Sequence, residues 1–319
     1  MCFWQNFWLK KDIWIRKKGY GDTMKKLPFT GSGVALITPF REDGTPNYEK
    51  LDEILEMHIK NKTDAVIVCG TTGEASTLPD DEHLEIIKHT VKTVAGRMKV
   101  IGGTGSNYTQ HAIDFSKKAE EYGCDAVLCV TPYYNKATKK GLVRHYTAIA
   151  NAISIPVILY NVPSRTGVNI PIDALSELAK VPNIVAIKEA SGNMSYAMKV
   201  RSEVPELYMY SGNDDLIVPI MSIGGKGVIS VVANILPEET HNICEYYTNG
   251  ETEKSAKLQL DMLDVINNLF IEVNPIPVKT AMNILGYEVG GLKLPLCEME
   301  EKNLEILKKS LDSFGVKKL

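Results

Sequence analysis

Lys188 ends an unbroken apolar run, Ile184 to Ile187, in the stretch NIVAIKEASG. A lysine is rarely buried unless something holds it or uses it. Desolvation disfavours the charged amine and lowers its pKa, so a buried lysine can act as a nucleophile near neutral pH. A neutral amine condenses with a ketone, and the resulting iminium withdraws electrons so that a carbon-bound proton can leave. Other strand-like runs end in groups that would serve such chemistry. GTTGE offers the hydroxyls and backbone N–H groups of Thr71 and Thr72 to a carboxylate. TPYYN and YNVPSRTG supply Tyr133, Tyr134 and Tyr160, whose hydroxyls can relay protons if hydrogen bonds position them. Arg165, in the second of these, offers a two-pronged grip on another carboxylate. SGND follows a seventh run, and Ile229 and Ser230 lie in an eighth. No histidine and no carboxylate cluster joins the set, which suits a Schiff-base enzyme.

Each residue alone has a structural reading. Lys188 could be a paired lysine, Thr71 and Thr72 could cap the next helix, Arg165 could sit on a solvated turn, and the tyrosines could pack with wet hydroxyls. GGTGSN (102–107) resembles a phosphate loop but lacks the following Gly-Lys-Ser/Thr. Weight comes from the joint position of these groups at strand ends, which packing does not require.

The elements that must position them form a rhythm from Gly33 onward. The apolar runs GVALIT, DAVIVC, KVIGGT, DAVLCV, PVILY, IVAIK, LYMYS and GVISVV mostly lack polar alternation, as strands of a parallel sheet covered by helices do. Between them lie helical stripes: Leu51, Ile54, Leu55, His58; Leu84, Ile87, Val91, Val94; and Ala112, Phe115, Ala119, Tyr122. Gly96 and Gly123 end the last two. Eight β/α units argue for an α/β fold, a closed (β/α)8 TIM barrel, whose chemistry sits at the C-terminal strand ends. The competing reading is an open doubly wound sheet; no Gly-x-Gly-x-x-Gly turn follows the first strand, which weighs against a dinucleotide-binding version of it. Strand alternation puts Ile184, Ala186 and Lys188 on one face, with the first two as an apolar floor. Residues 252–319 read as helical throughout, with Pro277 near a helix start and Gly286 near its end. The expected organisation is a barrel over 24–250 and a C-terminal helical extension over 251–319.

The bulk properties narrow the function. A net charge of −3 with 24% charged residues gives no basic footprint for nucleic acid. No apolar run approaches a membrane span. The six cysteines form no Cys-x-x-Cys pair and read as the reduced, buried thiols of a cytoplasmic protein. The histidines lack metal-ligand spacing, so no metal is expected. Residues 1–23 hold all three tryptophans, with five basic residues against two acidic ones. They read either as a segment touching a membrane surface or as upstream message translated from a wrongly chosen start. The second is preferred, with Met24 as initiator, because Gly21 and Asp22 can be encoded by a ribosome-binding-like sequence.

In order and spacing, GTTGEASTL, TPYYNK, LYNVPSRTG, IKEASG, SGNDD and GVISVVAN resemble the dihydrodipicolinate synthases (4-hydroxy-tetrahydrodipicolinate synthases) from about Thr30 to the C-terminus. These belong to the pyruvate-dependent Schiff-base aldolases and lyases. The resemblance implies that Lys188 forms the Schiff base with pyruvate and that Tyr160 relays protons. It implies that Thr72 links Tyr160 to Tyr134, which is lent across a subunit interface. Thr71 and Thr72 would hold the pyruvate carboxylate and Arg165 that of aspartate semialdehyde, with Gly212 and the Ile229 carbonyl lining the site. No metal or organic cofactor is implied, and the assembly would be a homotetramer, a dimer of tight dimers. The alternatives are a sialic-acid or sugar-acid lyase, which has less reason to place Arg165, and a non-catalytic ligand-sensing barrel. His83, Asn107 and Tyr133 match a feedback pocket for lysine in such enzymes. His111 stands where lysine-sensitive members have glutamate, Asp80 where a basic residue or histidine is common, and Ala75 where serine is common. A histidine is a poorer partner for the ammonium of lysine, so weak or absent lysine inhibition is expected.

Overall fold

Eight parallel strands close into a barrel in sequential order. They are β1 (Gly31–Ala35), β2 (Ala65–Val68), β3 (Lys99–Gly103), β4 (Ala126–Val130), β5 (Val157–Asn161), β6 (Ile184–Glu189), β7 (Tyr208–Ser211) and β8 (Gly227–Ser230). The structure, a computed structural model, describes residues 25–316. The expectation about residues 1–23 lies outside them. β1, β2, β5, β6 and β8 are buried along their whole length, which is why their sequences run apolar without alternation. β1 pairs with β8 to close the ring, Gly31 opposite Gly227. A Cβ on Gly227 would stand 1.9 Å from the carbonyl oxygen of Gly31, so this seam admits only glycine. β1 is shorter than its apolar run. Beyond Ala35 the chain finds other partners: Ile37 N–H donates to Asn234 Oδ1 and Thr38 Oγ1 donates to the Gly73 carbonyl.

The helices alternate with the strands. They are α1 (Tyr48–Lys60), α2 (Asp80–Val94), α3 (Thr109–Tyr122), α4 (Lys139–Asn151), the one-turn α5 (Pro163–Thr166), α6 (Ile172–Leu178), α7 (Met194–Glu203), α8 (Ile217–Ser222) and α9 (Pro237–Thr248). α1 buries Leu51, Ile54, Leu55 and His58, the expected stripe. α2 is rotated from expectation: it buries His83, Ile86, Ile87, Thr90 and Val94, while Leu84 and Val91 are half-buried. Its stripe includes His83 and Thr90, whose polar atoms bond backbone carbonyls, so an apolar count misplaces the face. α3 buries Ala112, Phe115, Ser116 and Ala119 and ends at Gly123 in the left-handed region, φ 94°.

The interior of the barrel differs at one strand from simple alternation. The floor holds Ala35, Ile67, Ile101, Leu128, Ile158, Val185 and Ala186. Ile184 packs outside, among the helices. The register shifts at this point: Val157 pairs with Ile184 but Ile158 with Ala186. A bulge adds one residue and flips the face of what precedes it. The floor is closed from below by Phe29, whose ring stacks on Tyr210 at 4.3 Å. The Tyr210 hydroxyl donates to the Phe29 carbonyl at 2.5 Å.

The C-terminal stretch is not helical throughout. α10 (Thr252–Asp261), α11 (Leu263–Asn268), α12 (Ile276–Ile284) and α13 (Glu301–Phe314) are separated, before α13, by an irregular segment from Leu285 to Glu300. That segment has partners of its own: Asn283 Nδ2 donates to Gly290, and Phe40 N–H to Val289 at 3.0 Å. Pro277 lies in the first turn of α12, as read from the sequence. Four of the described cysteines are buried free thiols, whereas Cys297, on this segment, is exposed.

Candidate active site

β5 and β6 bring the first pair of groups together. Tyr160 and Lys188 are cross-strand partners, and Lys188 Nζ lies 4.4 Å from the centroid of the Tyr160 ring. Lys188 is 5% exposed, at the C-terminal rim of the barrel. Burial pushes its pKa down to about 8; Asp214 pulls it up and Arg165 adds to the fall. At pH 7 an amine of pKa about 8 is roughly one-tenth neutral, against about three parts in ten thousand for an ordinary lysine. The apolar floor therefore makes a nucleophile of this amine. Burial raises the pKa of the Tyr160 hydroxyl, while Arg165 and a hydrogen bond with Thr71 lower it. A raised value keeps the phenol protonated, able to give a proton and take one back.

The partner of Tyr160 corrects one expectation. It is Thr71, not Thr72, that meets the Tyr160 hydroxyl. Thr72 is buried and its Oγ1 accepts a hydrogen bond from Asn274 Nδ2 at 3.0 Å. The loop after β2 folds through tight turns: Gly73 N–H bonds the Gly70 carbonyl and Glu74 N–H that of Thr71. Neighbouring residues in such a turn point apart, and sequence spacing alone does not say which one faces the mouth.

Gly212 sits against Lys188. A Cβ there would stand 2.5 Å from Ala190 Cβ and 3.1 Å from Lys188 Cε, so any side chain would displace the lysine stem. Ile229 lies in β8, fully buried, and its side chain belongs to the barrel interior. Arg165 projects from α5 into solvent at the rim, and its Nη2 donates to the Asn274 carbonyl at 2.9 Å. One mouth thus gathers Lys188, Tyr160, Thr71, Thr72, Gly212, Ile229 and Arg165.

Tyr134 is not gathered in by its own chain: it is 92% exposed and holds φ at 66°. That left-handed backbone costs a non-glycine residue about 1–3 kcal/mol. The neighbours hold it: Asn107 Nδ2 donates to the Tyr133 carbonyl (3.2 Å) and Asn135 Nδ2 to that of Asn107 (3.0 Å). Nearby, Nε2 of the buried His83 lies 2.8 Å from the Gly103 carbonyl, and burial pushes its pKa down to about 4. His83 and His111 both pack on Phe115, and His111 Nε2 lies 3.2 Å from Asp80 Oδ1. His83 and His111 thus meet on Phe115, with Asp80 facing His111, while Asn107 and Tyr133 are joined to each other.

Three groups at the site have no counterpart in the sequence reading. Asp214 is buried, and its Oδ2 accepts from Val231 N–H (3.0 Å) and Val232 N–H (2.9 Å). Burial raises its pKa, against those bonds and the charge of Lys188. It is a single carboxylate that acts on the Lys188 amine, within the SGND stretch to which the sequence reading gave no separate role. Glu74 and Lys279 form a buried ion pair at 2.9 Å beneath the GTTGE loop. Asn274 comes from the C-terminal extension, and only its pairing in three dimensions reveals it. Among the described residues, no group of three or more His, Cys, Asp or Glu could hold a metal, and no helix is long and apolar enough to cross a membrane.

Comparison with known proteins agrees with this geometry. The chain is 59% identical over 288 residues to the 4-hydroxy-tetrahydrodipicolinate synthase of Caldicellulosiruptor bescii, covering 90% of this chain and 98% of that one. Among solved structures, the dihydrodipicolinate synthase of Aquifex aeolicus superposes with a TM-score of 0.88 at 43% identity, over 90% of this chain and 99% of the other. A lysine-bound enzyme from Cyanidioschyzon merolae superposes equally well, 0.88, at 37% identity, over 91% of this chain and 100% of the other. The dihydrodipicolinate synthetase family profile matches residues 28–314, and the chain belongs to that family.

Proposed function

We infer that this chain is a lyase that condenses pyruvate with L-aspartate 4-semialdehyde to give 4-hydroxy-tetrahydrodipicolinate, on the route to diaminopimelate and lysine. The observation that carries this reading is the buried Lys188 amine, its pKa down to about 8, over the ring of Tyr160 at the barrel rim.

In this reading neutral Lys188 attacks the pyruvate ketone, and water leaves to give the iminium. The methyl group then loses a proton to give the enamine. Tyr160, hydrogen-bonded to Thr71, carries protons to and from the reacting carbons. The GTTGE loop, with Thr71 and Thr72, holds the pyruvate carboxylate. The enamine carbon attacks the aldehyde. The amine of the semialdehyde then closes the ring onto the iminium carbon and expels Lys188. Arg165, exposed at the rim, holds the carboxylate of the semialdehyde. Gly212 leaves room beside Lys188, and the Ile229 carbonyl lines the wall. The catalytic barrel is residues 24–250, and the extension over 251–319 completes its site through Asn274. The exposure of Tyr134 supports its service in a neighbouring subunit's site, within a cytoplasmic homotetramer.

Borohydride trapping tests the reading. With pyruvate, reduction adds the mass of a pyruvate-derived adduct to Lys188, and Lys188→Ala abolishes both the adduct and turnover. No adduct on the wild type, or faster cleavage of N-acetylneuraminate than condensation, would sink it. Regulation follows from the Asp80–His111 pair, which leaves an ammonium without a free carboxylate at His111. Lysine should inhibit weakly or not at all, and His111→Glu should strengthen inhibition. Half-inhibition of the wild type below about 1 mM lysine would overturn this.

A further inference from the structure

Asn274 precedes α12 and reaches the mouth from the C-terminal extension, not from the barrel. Two of its groups are engaged. Nδ2 donates to Thr72 Oγ1 at 3.0 Å, and the main-chain carbonyl accepts from Arg165 Nη2 at 2.9 Å. One residue therefore ties the loop offered to the first substrate's carboxylate to the guanidinium offered to the second's. The residue is 5% exposed. Its third group, Oδ1, is buried and has no hydrogen-bond partner in the protein. A buried acceptor left in that state forfeits its hydration without compensation. Native proteins rarely keep one without a use.

The chemistry of Oδ1 narrows what could use it. It is an acceptor only, and of the two N–H groups on Nδ2 one goes to Thr72. Its occupant must bring an N–H or O–H. It must also lie close to whatever Arg165 holds, because Asn274 itself fixes that guanidinium. Under the functional reading above, on which this inference rests, the second substrate carries its carboxylate and its amino group on the same carbon. A carboxylate on Arg165 brings the amine to the neighbourhood of Asn274. We propose that Asn274 Oδ1 accepts a hydrogen bond from the amino group of the second substrate, so that the site selects an amino aldehyde over its deaminated counterpart.

Succinate semialdehyde, which lacks only the amino group, is the probe. Wild-type enzyme loaded with pyruvate should bind aspartate semialdehyde about tenfold or more tightly than succinate semialdehyde, measured as KM against competitive Ki. Asn274→Ala, which also gives up the bond to Thr72, should raise the KM for aspartate semialdehyde about tenfold or more relative to any change in the Ki of succinate semialdehyde. Asn274→Asp keeps the acceptor and adds charge, so the preference for the amino aldehyde should rise. A wild type that does not discriminate overturns the proposal, whether or not any variant folds. So does an Asn274→Ala enzyme in which both aldehydes weaken equally, the mark of a purely structural residue, or one in which neither changes. Borohydride trapping of pyruvate runs alongside. Failure of trapping in the wild type would overturn the functional reading itself, whereas intact trapping with unchanged discrimination overturns only the role of Asn274.

Discussion

Lys188 reacts only in its neutral form, and its burial decides how much of that form exists. With a pKa of about 8, the neutral fraction grows as pH rises and levels off above that value. The expected profile of kcat/KM for pyruvate therefore climbs about tenfold per pH unit below the bend and flattens near pH 8. A profile still climbing at pH 10 would mean an ordinary lysine. The neighbouring threonines separate by contact. Thr71 meets the Tyr160 hydroxyl and Thr72 meets Asn274. Thr71→Val should lower kcat on the order of 10²-fold, the usual worth of a positioned proton carrier. Thr72→Val should act chiefly through KM, and equal losses in kcat would contradict the assignment. Arg165 lies on the short helix beyond one such run, and the rim positions of Lys188 and Tyr160 were legible in the sequence because packing alone seldom puts a reactive side chain at the end of an apolar run. The choice between Thr71 and Thr72 was not, because a turn of two residues reverses side-chain direction without changing spacing. Asn274 was out of reach, since its partner Thr72 is 202 positions away.

At the scale of elements, sequence alternation served the barrel well except where a backbone irregularity broke it. The bulge at Val185 turns Ile184 outward and puts Val185 with Ala186 in the floor. Nothing in a run of apolar residues marks that slip, because both faces are buried. The C-terminal stretch misled for a related reason: Leu285 to Glu300 has no regular hydrogen-bond ladder and is held by long-range contacts. Lys279 shows how it is held. Its Nζ bonds Glu74 and the Gly291 carbonyl, and lies 4.2 Å from the centroid of the Phe40 ring. Glu74 Oε2 accepts from Lys293 N–H at 2.9 Å. Burial pushes the lysine's pKa down and Glu74 holds it up. The pair joins the GTTGE loop of the barrel to α12 and the segment beyond it. Removing one partner leaves a buried charge unpaired, so Lys279→Met should cost about 3–5 kcal/mol in urea unfolding. The double variant Glu74→Gln, Lys279→Met, which leaves no buried charge, should recover part of that loss. A single variant costing under about 1 kcal/mol would show that solvent reaches the site.

At the scale of the whole molecule, one chain holds a nucleophile and a proton carrier at its mouth, and a tyrosine that points away from it. Tyr134 is 92% exposed, on a loop whose left-handed backbone is held by Asn107 and Asn135. An exposed aromatic ring on a strained, well-braced loop is a poor design for a monomer and a good one for a contact. Tyr108 and Tyr133, 65% and 36% exposed, are further exposed aromatic residues. If Tyr134 completes the site of a neighbouring subunit, defects in Lys188 and Tyr134 lie in different chains of one site and can be cured by mixing. Lys188→Ala and Tyr134→Phe homomers should each be nearly inactive. Unfolded together and refolded at equal amounts, half of the dimers pair one of each. In those, one site combines the intact Lys188 of one chain with the intact Tyr134 of the other, and the second site carries both defects. Activity should return to about a quarter of the wild-type value, as the statistics of a two-fold interface require. Mixed assemblies that form, as judged by native mass, yet stay inactive would show that each chain uses its own Tyr134 or none. The same experiment reports on assembly: no exchange and no recovery under conditions where the wild type is monomeric would leave the exposed loop without its partner and remove the case for a shared site.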